Sequence, residues 1–342
     1  MSKIVFNDGT VVGDFLQPYV IAEVNSSHNG CVETAKKMID AAKKAGCACV
    51  KFQSWSAESL YSKTYYDNNK IAERIVKKFS MSEEALKEIA FFCLEVGISF
   101  ASTPYAIKEV DILLECNVPF IKIASMEINN FAYLKYIAKT GSAIVLSTGM
   151  AEFDEIRKAV DVIKSNGNIN LALLHCISIY PAAPSTIHLN NINMLREEFS
   201  DCVIGFSDHT LGTEISSAAT ALGAGVIEKH LTLDKSKMGM DNNMAIEPEE
   251  MKQLVNSCHN VYEAMGRYER IVSDDEYKQR TNMRRSVIAR RSLQAGTILS
   301  LEDLGAKRPG DGIPVDKIES VVGKKLKRNI EGDYLIRPED IV

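Results

Sequence analysis

Short apolar runs alternate with amphipathic helical stretches along most of this chain, and that alternation limits its fold more than any other feature. Eight runs read as strands: 19–23, 48–53, 98–102, 120–123, 143–146, 171–175, and the two that end at His209 and His230. Helical periodicity follows each of them, at 32–45, in the stretch after Ser80, at 106–115, 131–139, 152–165, 189–198, 212–223 and from Pro248 onward. The strands are almost wholly apolar, as parallel strands covered on both faces are. Eight such units over about 250 residues predict a (β/α)8 TIM barrel. A doubly wound open sheet is the rival, but no Gly-x-Gly-x-x-Gly follows the first strand.

Local signals punctuate the pattern. Residues 4–16 read as a hairpin turning at Asn7-Asp8-Gly9. Ala35, Met38, Ile39 and Ala42 share one face of helix 32–45, and Gly46 stops it. Ser80 and Glu83 fit a capping box before a stripe of Leu86, Ile89, Ala90, Cys93 and Leu94. Between the second strand and that helix lies a long polar and aromatic segment, 54–79, carrying Trp55, Tyr61, Tyr65 and Tyr66. Its aromatics either pack over the barrel edge or shape a ligand site. The expected organisation is a barrel domain over 1–266, a charged and partly helical linker over 267–284, and a small β-rich module over 285–342.

Composition narrows the function classes. A formal net charge of -5 without a basic block makes nucleic acid an unsuitable partner. No apolar run reaches membrane-spanning length, and the first residues lack a signal-peptide core, so a cytoplasmic protein is expected. The 8 cysteines are scattered without zinc-type pairing, as reduced core residues would be.

Chemistry in such a barrel gathers at the C-terminal strand ends. Those ends offer Glu23; Lys51 and Gln53; Ser102 and Thr103; Lys122 and Ser125; Ser147 and Thr148; Ser178 and Tyr180; Ser207 and His209; and His230. A buried lysine is costly unless paired. Two lysines on one rim with several hydroxyls therefore suggest a phosphate or carboxylate cradle. The alternative is that each lysine pairs with a neighbour such as Glu23 or Glu127. Imine chemistry is a further option for a barrel lysine. His209 and His230 end adjacent parallel strands, so their imidazoles could share a divalent ion, which favours the metal route.

These residues carry a resemblance. Ala22-Glu23, His28-Asn29-Gly30, Lys51-Phe52-Gln53, Ser102-Thr103-Pro104-Tyr105, Lys122-Ile123-Ala124-Ser125 with Glu127, and Leu146-Ser147-Thr148-Gly149-Met150 follow one another in order. Leu174-His175-Cys176, Tyr180-Pro181, Gly205-Phe206-Ser207-Asp208-His209-Thr210, Glu228-Lys229-His230 and Lys307-Arg308-Pro309-Gly310 complete the set. Over essentially its whole length the chain resembles the sialic acid synthase family, with its C-terminal antifreeze-like (SAF) domain. The resemblance implies condensation of phosphoenolpyruvate with an N-acetylated aldose, such as N-acetylmannosamine or a diacetamido-trideoxyhexose, to a nonulosonic acid plus phosphate. It implies that His209 and His230 hold a divalent cation, manganese or magnesium. Lys51, Thr103, Lys122, Ser125, Ser147 and Ser207 would bind phosphoenolpyruvate. Gln53, Tyr180 and Asp241 would contact the sugar, and Glu23 would be the general acid/base. Arg308 would reach the sugar from the SAF domain of a second subunit, in a domain-swapped homodimer.

The chain departs from the family pattern at Ser27, where asparagine is usual, at Met126 in place of glycine, and at Gly239-Met240-Asp241-Asn242. These changes bear on the acceptor sugar. The alternatives are a related phosphoenolpyruvate aldolase acting on a phosphorylated sugar, and a non-catalytic carbohydrate-binding homologue.

Overall fold

A computed structural model describes residues 1–237 and 239–342. The chain divides into two compact units, Met1–Gly266 and Arg267–Val342. The first opens with a hairpin, β1 (Lys3–Val5) and β2 (Val11–Gly13), paired antiparallel. Gly9 makes its turn at φ 87°. Then follow β3 (Tyr19–Asn25), α1 (Val32–Ala45) and β4 (Cys49–Ser54). Gly46 ends α1 in the left-handed region, as its position predicts.

The long polar and aromatic segment, 54–79, is largely helical. It forms α2 (Ala57–Leu60), α3 (Lys63–Asn68) and α4 (Lys70–Phe79). Ser56, Ser62 and Asn69 cap the three in turn. Trp55, Ala57, Tyr66, Val76 and Phe79 form a separate small core beneath them. Tyr61 and Tyr65 stay exposed and stack, with ring centroids 4.5 Å apart. The next helix, α5 (Glu83–Val96), is capped by Ser82 rather than Ser80, with Ala85 N donating to Ser82 Oγ at 3.2 Å. Ser80 closes α4, its N donating to Val76 O.

Alternation then runs without interruption. It passes through β5 (Ser99–Pro104), α6 (Ile107–Glu115), β6 (Ile121–Ile123), α7 (Phe131–Lys139), β7 (Ile144–Ser147) and α8 (Phe153–Ser165). It continues with β8 (Leu171–Cys176), α9 (Asn191–Glu198), β9 (Val203–Asp208), α10 (Glu214–Ala221), β10 (Val226–His230) and α11 (Pro248–Met265). The eight strands make one parallel sheet in the order β5-β4-β3-β10-β9-β8-β7-β6. Its two ends, β5 and β6, lie against each other, so the sheet curls into a nearly closed (β/α)8 barrel.

Strand alternation sorts side chains between two cores. Val20, Ala22, Val50, Phe52, Ile121, Ile144, Leu173, Ile204 and Ile227 pack outward against the helices. Tyr19, Ile21, Cys49, Ala101, Val145, Ala172, Val203 and Val226 fill the interior together with Ile4, Phe6 and Val12 of the hairpin. Phe6 lies 4.7 Å from Phe120 and 5.2 Å from Tyr19 between ring centroids. Such aromatic pairs add about 0.5–1.5 kcal/mol beyond simple burial. The hairpin thus stoppers the N-terminal end of the barrel.

The second unit contains α12 (Asp274–Met283), β11 (Ser286–Ala289) and β12 (Leu304–Lys307). Ser273 and Glu276 form a reciprocal capping box on α12. β11 and β12 pair antiparallel, and isolated bridges such as Leu293↔Ile330 and Leu326↔Ile341 tie in the turns. Val321-Val322-Gly323 is a turn after a 3-10 segment, with Gly323 at φ 83°. Val287, Leu293, Leu304, Leu326 and Ile336 belong to this unit's own core. Among the described residues, no helix is long and apolar enough to cross a membrane.

Candidate active site

The same alternation that fills the barrel interior sets what stands above it. On each strand the inward positions are apolar low down and polar at the C-terminal end: Ile21 then Glu23, Cys49 then Lys51, Ala101 then Thr103, Val145 then Ser147. On the remaining strands Phe120 precedes Lys122, Leu174 precedes Cys176, Val203 and Gly205 precede Ser207, and Val226 precedes Glu228 and His230. These ends surround one cavity of about 230 Å³.

Apart from Arg308, every residue that the resemblance assigns to binding or catalysis lines that cavity: Glu23, Lys51, Gln53, Thr103, Lys122, Ser125, Ser147, Tyr180, Ser207, His209, His230 and Asp241. Ser102 points elsewhere and shares a hydrogen bond with Ser54 Oγ at 2.6 Å. Arg308 is exposed in the second unit, one residue past β12. The lining also includes Tyr105, Met126, Cys176, Ser178 and Glu228.

Glu228 is the residue that strand-end reading passes over. Counting back two from His230 along an alternating strand finds it. It lies between the lysines: Oε2 is 3.6 Å from Lys51 Nζ, and Oε1 is 3.6 Å from Lys122 Nζ. Ser207 Oγ donates to Oε1 at 3.0 Å. Lys51 also forms an ion pair with Glu23 and donates to Thr103 Oγ1 at 3.1 Å. Lys122 donates to Ser147 Oγ at 2.8 Å. The lysines do pair, then, with Glu23 and Glu228. Glu127 instead accepts from Asn130.

Electrostatics separates the two carboxylates. Burial, reinforced by the nearby Glu228, raises Glu23 to about 7 against the opposing pull of Lys51. Burial acts on Glu228 too, but Lys122 and Lys51 outweigh it and hold that carboxyl at about 2. Burial lowers Lys122, while at Lys51 the two glutamates overcome burial and raise it. Glu23 Oε1 accepts from Gln53 Nε2 at 3.2 Å and from Asn25 N at 3.0 Å. Tyr105 OH in turn donates to Gln53 Oε1 at 3.1 Å.

Across the cavity, Ser125 Oγ accepts from Gly149 N at 3.0 Å. A methyl group on Gly149 would collide with the hydroxyls of Ser178 and Ser125, so glycine keeps that cradle open.

The two histidines meet beside the lysines, with ring centroids 5.4 Å apart, and Tyr180 packs 4.3 Å from His209. His209 Nδ1 lies 2.7 Å from Ile177 O. A carbonyl only accepts, so Nδ1 carries the proton and Nε2 is free to ligate. Burial, then His209, push His230 well below the usual imidazole range. At His209 burial acts downward too, but the Cys176 thiol, 3.8 Å away, outweighs it and raises the ring. Asp241 Oδ2 is 3.9 Å from His230 Nδ1 and accepts from Asn25 Nδ2. Among the described residues no group of three or more His, Cys, Asp or Glu side chains is arranged to hold a metal ion alone. Two imidazole nitrogens with a carboxylate nearby suit an open divalent site whose other positions belong to water or substrate.

Fold and site together define a (β/α)8-barrel protein with a buried lysine-carboxylate cluster beside a histidine pair, followed by a small β-rich module. The family model described as the NeuB family matches residues 38–270, and that of the SAF domain matches 284–342. The chain belongs to the NeuB family. It is 39% identical over 329 residues to N,N'-diacetyllegionaminic acid synthase of Campylobacter jejuni, covering 93% of this chain and 98% of that one. It is 34% identical to human N-acetylneuraminate-9-phosphate synthase, covering 97% and 94% of the two chains. The crystal structure of N-acetylneuraminic acid synthetase from Leptospira borgpetersenii superposes with a TM-score of 0.75 at 30% identity, covering 81% of this chain and 95% of that one.

Proposed function

We propose that this protein condenses phosphoenolpyruvate with an N-acylated aldose to give a nonulosonic, sialic-type acid and inorganic phosphate. The observation that carries the reading is a single cavity in which Lys51, Lys122 and their hydroxyl partners adjoin the His209–His230 pair. Membership of the NeuB family supports it, as do relatives named for making N,N'-diacetyllegionaminic acid and N-acetylneuraminate 9-phosphate.

In this reading Lys51, Thr103, Lys122, Ser125, Ser147 and Ser207 hold the phosphate and carboxylate of phosphoenolpyruvate. Gln53, Tyr180 and Asp241 orient the open-chain sugar. A divalent ion, manganese or magnesium, held by His209 and His230 supplies Lewis-acid polarisation of the sugar aldehyde. The methylene carbon of phosphoenolpyruvate bonds to the aldehyde carbon, and water adds to the carbon bearing phosphate. Glu23, raised toward neutrality, exchanges the protons of these steps. The adduct then expels phosphate by C–O cleavage. Holding two substrates in register supplies on the order of several kcal/mol of the barrier reduction. A second copy of the chain would bring Arg308 of its SAF domain to the sugar, in a domain-swapped homodimer.

The test is a phosphate-release assay with phosphoenolpyruvate and a panel of N-acyl aldoses, phosphorylated and not, with product mass spectrometry. Release is expected with at least one acceptor, lost on chelation and restored by manganese. No release with any acceptor in added manganese would overturn the reading. Release only with a phosphorylated aldose would move the acceptor to that class.

A further inference from the structure

The histidine-bearing strands are tied together on the face turned away from the cavity. Asp208 precedes His209 and Lys229 precedes His230, so alternation sends both outward into the helix layer. Both are fully buried there, directly opposite in register, with Lys229 Nζ 3.0 Å from Asp208 Oδ2. Ser216 Oγ of α10 donates to the same oxygen at 2.6 Å. The other oxygen, Oδ1, accepts from Thr210 N at 2.8 Å and Thr210 Oγ1 at 2.7 Å. Lys229 Nζ also donates to Thr210 O at 2.6 Å.

The pattern has a particular consequence for His209. Its two chain neighbours are bonded to each other across it, and the residue before His230 grips the same turn. Stability alone is a poor account of such a pair, because buried ion pairs are often replaceable by apolar residues at no loss. Strand pairing alone is also an incomplete account, because the backbone ladder already aligns β9 with β10.

We propose that Asp208 and Lys229 are positioning residues that fix the spacing of the His209 and His230 imidazoles for one divalent cation. The proposal rests on the reading of that histidine pair as the metal site. Neither residue lines the cavity, so the effect is exerted through the backbone of residues 208–210 and 229–230.

The experiment titrates manganese into the intact protein without substrates, following free ion by electron paramagnetic resonance, with thermal unfolding in parallel. Asp208→Leu/Lys229→Met removes the pair without leaving a lone buried charge. It should keep a cooperative transition while weakening manganese binding at least tenfold. Should that variant fail to fold, Thr210→Val/Ser216→Ala removes the two hydroxyl contacts to Asp208 while keeping the ion pair, and should weaken binding about threefold. His230→Ala is the reference for loss of the site. Unchanged manganese affinity in a folded clamp variant, with binding lost in His230→Ala, overturns the positioning role alone. No binding by the parent, or binding indifferent to His230→Ala, overturns the metal reading and the positioning role with it.

Discussion

Glu228 Oε1 stands 3.6 Å from Lys122 Nζ, with both side chains at most 5% exposed. The same carboxylate neighbours Lys51, which also pairs with Glu23, so this one anion is shared between two cations at the base of the cavity. Glu228→Gln leaves those lysines undercompensated. Removing one partner of a buried pair costs about 3–5 kcal/mol, and the more positive cavity should take up anions more readily. Thermal unfolding with and without inorganic phosphate checks this. The variant is expected to melt lower than the parent and to gain more from phosphate. An equal gain in both proteins would refute the assignment of Glu228 as the lysines' counter-charge.

Glu23, raised to about 7, should set a limb of the rate profile near neutrality. Since kcat/KM reports the free protein, its pH dependence is the measurement to make. Glu23→Gln should lower kcat/KM by about 10²–10⁴-fold and flatten that limb. Persistence of the limb in the variant would assign it to another group.

Acid stability offers a check on a residue outside the cavity lining. His28 is buried and held down to about 4, chiefly by burial, with its Nδ1 accepting from Gly30 N at 3.0 Å. A depressed folded-state value means the ring favours folding while neutral. That contribution is complete above about 6.5 and disappears as pH falls through about 4. It amounts to about 3 kcal/mol. Urea unfolding at intervals between these values should show a smaller acid loss in His28→Gln than in the parent. Identical slopes would mean that other groups govern the acid limb.

Subunit exchange tests the proposed role of Arg308. Arg308→Ala and His209→Ala should each be nearly inactive. In a swapped dimer, refolding them together in equal amounts makes mixed dimers with one site free of both changes. Recovery of roughly a quarter of the parental activity is then expected from random pairing. No recovery on mixing, with both variants folded, would argue against exchange of the SAF domain.

The barrel was legible because its strands repeat one grammar, apolar below and polar at the end. That grammar also brought Lys51, Lys122, His209 and His230 forward as a set. Glu228 escaped because attention to the last residue of β10 skipped the inward position beneath it. The helices at 57–79 escaped for a different reason. They are short, and only Val76 and Phe79 of α4 are buried, so no extended apolar stripe announces them. With serines at both 80 and 82, the cap could be assigned only by seeing which backbone group each hydroxyl meets: Ser82 Oγ accepts from Ala85 N, whereas Ser80 Oγ donates to Lys77 O. Arg308 is a different kind of case, because the partner it would serve lies on another copy of the chain.

The hairpin that stoppers the barrel leaves a well open at one end only. Lys51 and Lys122 sit at its base, 2% and 4% exposed, whereas Tyr180 nearer the mouth is 45% exposed. An occupant of the lower layer has to arrive before the upper layer is filled, and it departs only after the upper layer clears. A two-substrate reaction with one reactant seated on the lysines and the other above it is then expected to add the deeper reactant first.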